Sequence, residues 1–340
     1  MTYSPQTVER QTLALGDFVL ENGEAIQNFE LSYIVHGTPA PDGSNVILVT
    51  SSLAGDAHRL DFLIGEGLAF DPSQYCVIAT DAIGNGWSSS PSNSKEQPAM
   101  AFPQFGIRDM VESQRRLLQE RFDLDQILAV AGASMGGMQA LQWAVSHPTT
   151  MSTIIALVPL ARTPAWTVIS NETSRRILML DPAWNNGNYD AQPENGWRTC
   201  AAFTQGLGIR TPIDLDTLFP TTTGCLDWLK DIEDKFMAKG FDANDWIYQT
   251  RAYDAHNVGE IPPFNGHTQQ ALASIEAKTL IMGPDLDLLN PAEQQQEIAK
   301  QIPNAHYVPI PSIRGHLAAS PGDLADISLI NSEVTRFLNH

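Results

Sequence analysis

The chain has 340 residues, with 20 Lys plus Arg against 39 Asp plus Glu and a formal net charge of −19 at pH 7. A 43% hydrophobic share against 17% charged residues excludes wholesale disorder. The negative excess, with no Lys/Arg run, argues against nucleic acid and an anionic membrane surface as partners.

Residues 11–20 and 29–36 read as an opening antiparallel pair of strands. The runs NVILVT (45–50) and YCVIA (75–79) are continuously apolar, as in strands buried on both faces. Each runs into a small-residue loop, SSLAGDAH (51–58) and DAIGNGWSSSPSN (81–93). Ile107, Met110, Val111, Leu117 and Leu118 predict a helix over 106–121. A strand follows at 126–131, then the tight turn GASMG and a helix over 135–146 that His147-Pro148 stops. The next strand is 153–158.

From 162 to 270 the β-branched runs disappear, helical patches replace them, and five of the seven Trp fall here. Alternation returns with a strand at 278–283, a helix at 291–301, a strand at 305–310 and a closing helix near 322–338. This pattern predicts an α/β fold with a mostly parallel sheet flanked by helices. Its core domain would comprise 1–161 and 271–340, with 162–270 inserted as a helical lid. Cys76, Cys200 and Cys225 form no CxxC pair, and residues 1–12 hold no apolar signal core. Reduced thiols and a cytoplasmic location are expected.

Gly132-Ala133-Ser134-Met135-Gly136 matches G-x-S-x-G and joins a buried-type strand directly to a helix, the setting of a nucleophile elbow. A serine hydroxyl needs a base oriented by a third group. After the strand at 278–283 come Asp285 and Asp287, and after the strand at 305–310 comes His316. The order Ser134, then Asp285 or Asp287, then His316 is the one this elbow requires. One oxyanion donor would be the N–H of Met135 and another would lie within Ser51–Gly55. His36, His147, His256, His267, His306 and His340 stand in no constellation and read as structural or surface residues. Asp56, His58 and Asp61 read as loop-ordering, and neither a metal nor another cofactor is expected.

These residues support a resemblance. The chain resembles the homoserine O-acetyltransferase family of α/β-hydrolase-fold enzymes along SSLAGDAH (51–58), FPQFGIRDMV (102–111), GASMGGMQALQWA (132–144), DPAWNNGNY (181–189), DLLNP (287–291) and Gly315-His316. The resemblance implies an α/β-hydrolase fold, a Ser134–Asp287–His316 triad, and an oxyanion hole from the N–H groups of Leu53 and Met135. It also implies a homodimer paired through the lid.

The sequence departs from the family in three places. Leu317 replaces the acidic residue that follows the family's His and holds the acceptor's amino group. Ser88-Ser89-Ser90-Pro91 replaces a Gly-Ser-x-Gly-Pro loop. Arg210 matches the family's lid Arg near the acceptor carboxylate, but the neighbouring Tyr is missing. With Leu317 making the acceptor side apolar, the expected function is hydrolysis of short-chain acetyl esters by a serine carboxylester hydrolase. The alternative is an acetyl-CoA-dependent homoserine O-acetyltransferase, with Arg210, Arg162 or Arg175 serving the acceptor carboxylate. A non-catalytic binding protein of the same fold is the remaining reading.

Overall fold

The computed structural model describes residues 4–339, so His340 lies outside the described residues. Eight strands form one sheet: β1 Arg10–Val19, β2 Ala25–His36, β3 Val46–Thr50, β4 Cys76–Thr80, β5 Ile127–Ala133, β6 Met151–Leu157, β7 Lys278–Pro284 and β8 Ala305–Ile310. Their order is β1-β2-β4-β3-β5-β6-β7-β8. β1 and β2 pair antiparallel with each other, and β2 pairs antiparallel with β4; every other pairing is parallel. The opening hairpin is longer than the apolar pattern suggests. β2 begins at Ala25, and its exposed Gln27 and Asn28 hide the strand from a hydrophobic reading.

The central strands β3, β4 and β5 are apolar at nearly every position because both faces are covered. Val46, Leu48, Cys76, Ile78, Val130 and Ile154 face one core, with helices α1 Ile107–Phe122 and α2 Met135–Ser146 and, farther along the sheet, α9 Ala292–Gln301. Ile47, Val49, Val77, Ala79, Ala129 and Ile155 face the other, with α10 Leu324–Leu338 and the 60–70 segment. Successive strand residues alternate between the two cores, as the pleat requires.

Between β6 and β7 the chain is helical: α3 Ala165–Leu180, α4 Glu194–Ala201, α5 Pro212–Leu218, α6 Thr222–Ala238, α7 Ala243–Asp254 and α8 Thr268–Ala273. α4 runs into a π-helical stretch, Ala202–Gly208. These helices have a small core of their own, built by Leu178, Trp197, Cys200, Phe236, Ala243 and Trp246. α7 belongs to both layers, since Tyr248, Ala252 and Tyr253 pack into the main core. No helix among the described residues is long and apolar enough to cross a membrane.

From β3 the chain passes to β4 on one side and then to β5 on the other. The carboxyl ends of β3 and β5 therefore flank the point where the winding reverses, and open α/β sheets place their crevice there.

Candidate active site

Ser134 sits between β5 and α2 with φ 57° and ψ −122°. For a non-glycine residue this conformation costs on the order of 1–3 kcal/mol and must be held by its surroundings. Its N–H donates to Leu157 O at 2.9 Å. The flanking glycines are required by close approach. A Cβ on Gly132 would stand 2.3 Å from the Gly136 carbonyl, and one on Gly136 would stand 2.5 Å from Thr50 O. The end of β3 thus presses against the elbow.

His316 lies in a short 3-10 turn, Gly315–Ala319, not in a simple loop. Gly315 enters the turn at φ 64°, where a Cβ would meet Ile209 O at 2.9 Å. The His316 N–H donates to that same carbonyl at 3.0 Å, so the helical segment between β6 and β7 holds the turn from above. The spacing left Asp285 and Asp287 open. Asp285 is exposed, whereas the Asp287 carboxylate is buried and stands 2.8 Å from His316 Nδ1.

Asp287 Oδ1 accepts the N–H groups of Leu289 and Asn290, both at 2.9 Å, while Oδ2 faces the ring and also accepts Gln295 Nε2 at 3.2 Å. A carboxylate only accepts, so Nδ1 carries the proton and donates it to Asp287. Nε2 is then the acceptor, and it lies 2.8 Å from Ser134 Oγ. This arrangement suits removal of a proton from Ser134.

Leu53 and Met135 border the same place. Neither N–H donates to a protein acceptor among the described residues. The loop carrying Leu53 is fixed by Ser52 Oγ donating to Ala133 O at 2.6 Å and by Gln139 Nε2 donating to Ser51 O at 2.9 Å.

Ser134 and His316 open into a cavity of about 430 Å³ walled by Leu53, Phe236, Phe241, Trp246, Leu289 and Leu317, among others. A second hollow of about 700 Å³ shares Asp56, Lys239, Phe241 and Trp246 with it. Leu317 therefore does face the cavity. Arg210 does not line it; its guanidinium pairs with Asp214 at 2.5 Å and lies over the Trp228 ring. Arg175 is likewise taken by Asp254 at 2.6 Å, and Arg162 is exposed.

The Ser88–Ser90 segment is an internal brace, with Ser88 Oγ donating to Asp81 O at 2.8 Å and Ser90 Oγ to Ser88 O at 2.6 Å. His58 Nδ1 lies 2.9 Å from Asp61, and among the described residues no group of three or more His, Cys, Asp and Glu is placed to hold a metal.

Two residues at the site carried no sequence signal. Tyr253, from α7, is fully buried and donates its hydroxyl to Asn290 Oδ1 at 2.7 Å while contacting the Ser134 hydroxyl. Burial pushes its phenol pKa upward, so it stays protonated. Arg59 follows the GDAH stretch directly and lines the cavity. Nothing in its place after a small-residue loop marks it as partly buried against the cavity.

The chain matches the family described as alpha/beta hydrolase fold over residues 33–318. It is 31% identical over 340 residues to the homoserine O-acetyltransferase of Chlorobium chlorochromatii (strain CaD3), covering 95% of this chain and 93% of that protein. Among solved structures, the acetyl esterase MekB superposes with a TM-score of 0.89 at 27% identity, over 98% of this chain and 97% of that one. The homoserine O-acetyltransferase of Bacillus anthracis does so with a TM-score of 0.88 at 26% identity, over 98% of both chains. The fold defines an enzyme of the α/β-hydrolase superfamily. Within that superfamily, the chain belongs to the homoserine O-acetyltransferase family.

Proposed function

We propose that the protein transfers a short acyl group through a covalent ester on Ser134. The observation that carries this reading is the unbroken pair of 2.8 Å contacts from Asp287 through His316 to Ser134. Oγ attacks the acyl carbonyl while its proton passes to His316 Nε2. Asp287 stabilises the imidazolium, and the N–H groups of Leu53 and Met135 receive the oxyanion. His316 then hands the proton to the leaving thiolate or alkoxide, which departs and leaves the acyl-enzyme. A second oxygen nucleophile, deprotonated by the same His316, releases the acyl group and restores Ser134.

For that second nucleophile, the names of the curated relatives favour the hydroxyl of homoserine over water, with acetyl-CoA as donor. The O-acetyltransferase is therefore the first reading. Hydrolysis of acetyl esters is the second, and one observation favours it: Leu317 places an apolar side chain in the cavity where an ammonium would need a carboxylate. The segment 162–270 acts in either case as the lid, contributing Phe236, Phe241 and Trp246 to the cavity wall. Exposed Ile213, Leu218 and Leu226 on its outer helices suit the lid-to-lid homodimer that the family implies.

A paired assay separates the readings. Release of CoA from acetyl-CoA that depends on L-homoserine establishes the transferase. Turnover of 4-nitrophenyl acetate without any such release establishes the esterase, and inactivity of the folded protein in both leaves a binding protein. Ser134→Ala is expected to lower kcat by roughly 10⁶-fold in whichever reaction is observed; retained activity would remove Ser134 from the chemistry.

A further inference from the structure

Arg59 is a recessed cation without an anionic partner. Its Nε donates to Ser52 Oγ at 3.0 Å, and its Nη2 donates to Ala319 O at 2.8 Å and Ser320 Oγ at 3.0 Å. All three acceptors are neutral. Arg10, Arg175, Arg210 and Arg314, also largely withdrawn from solvent, each pair with a carboxylate. Arg59 pairs with none among the described residues. The acids nearest in sequence are engaged elsewhere, Asp61 by His58 at 2.9 Å and Asp56 by Arg10 at 3.3 Å.

Burial pulls the Arg59 pKa down to about 10, so the group remains a cation at neutral pH. A guanidinium has five N–H donors, and the Nη1 pair donates to no protein acceptor among the described residues. Neutral acceptors satisfy hydrogen bonds but leave the charge uncompensated at the cavity wall, where a planar carboxylate is the matching ligand.

The position is also informative. Arg59 lines the cavity with Ser134 and His316. It bonds Ser52, whose hydroxyl in turn bonds the carbonyl of Ala133, the residue before the proposed nucleophile. The opposite side of its guanidinium bonds the chain just after His316. In a protein of net charge −19, this is a local positive site beside the reacting centre.

We propose that Arg59 is a specificity-determining residue that binds a carboxylate carried by the substrate, so that the cavity selects acyl esters bearing an anionic carboxylate near the scissile bond. This inference rests on the acyl-enzyme reading of Ser134. The carboxylate belongs either to the acyl half, as in a hemiester of a dicarboxylic acid, or to the alcohol half, as in an O-acyl hydroxy acid.

Two pairs of substrates test it on the wild-type protein. For the acyl half, 4-nitrophenyl hemisuccinate is compared with its neutral isostere 4-nitrophenyl 4-oxopentanoate. For the alcohol half, 3-acetoxypropanoate is compared with 3-acetoxypropanamide. The expected result is a kcat/KM about tenfold or more higher for the charged member of one pair, as for a charge-assisted hydrogen bond. The pair that shows it identifies the half. Arg59→Gln should collapse that ratio toward one, whatever it does to absolute rates.

No preference for the charged member in either pair overturns the proposal, and so does a ratio that survives in folded Arg59→Gln. If that variant does not fold, the wild-type ratios decide alone. Failure of all four substrates overturns the acyl-enzyme reading itself, which is a different result from equal turnover of charged and neutral members.

Discussion

Ser134 Oγ is set by His316 at 2.8 Å, with the buried hydroxyl of Tyr253 beside it. The phenol is itself fixed by Asn290, whose amide is oriented because Nδ2 donates to Val158 O at 2.7 Å. The same Asn290 gives its backbone N–H to Asp287 Oδ1 at 2.9 Å, so one residue ties the nucleophile's neighbour to the carboxylate. Tyr253→Phe leaves Asn290 Oδ1, on the residue that braces Asp287, buried without a donor. A neutral hydrogen bond contributes about 0.5–1.5 kcal/mol, so kcat/KM for 4-nitrophenyl acetate should fall roughly 3- to 10-fold, together with the melting temperature. An unchanged kcat/KM would show that Tyr253 only packs. Ser134, Asp287 and His316 were legible because each follows a recognisable strand, in an order the chemistry demands. Tyr253 was not, because it reaches the site from a helix with no motif of its own.

At the scale of elements, α2 and the end of β3 act as one unit. Gln139 of α2 is fully buried; its Nε2 donates to Ser51 O at 2.9 Å, and its Oε1 accepts Gln114 Nε2 at 2.7 Å. Gln114 Oε1 in turn accepts Trp143 Nε1 at 2.7 Å, joining α1 to α2. This relay sets the loop that carries the Leu53 N–H relative to the elbow. Gln139→Leu leaves a buried carbonyl and a buried amide unpartnered, at about 1–3 kcal/mol each. The expected outcome is a lower denaturation midpoint and a kcat that falls more than KM rises. A loss of stability with kcat intact would confine Gln139 to packing. The strands themselves were readable as apolar runs, since burial on both faces removes any need for polar residues. The 3-10 turn under His316 and the π-helical stretch after α4 were not, because they are imposed by packing between layers and no local propensity marks them.

For the molecule as a whole, the −19 charge says little about the chemistry, and acid stability depends instead on a few buried groups. His256 is buried in the main body, and burial lowers its pKa to about 3; burial, with the nearby His58 charge, lowers that of His36 to about 4. Both are neutral when folded and protonated when unfolded across the interval between those values and about 6.5, the ordinary value for histidine. The unfolded state then binds more protons, so stability is complete above about pH 6.5 and declines as pH falls toward 4 and then 3. Asp109 and Asp245 act in the opposite sense: burial raises their pKa values, so protonation of the folded form relieves a penalty as acid is added. Isolating one group removes this opposition. His256→Gln eliminates its proton uptake, and a tenfold difference in proton affinity between the folded and unfolded states corresponds to about 1.4 kcal/mol. Melting temperatures measured at about pH 7.5, 6 and 5 should therefore fall less steeply for His256→Gln than for the wild type, even if the variant starts lower. Parallel curves would show that His256 takes up its proton equally in the folded and unfolded states, and the acid sensitivity would then belong to His36 and to the relaxation of surface charge.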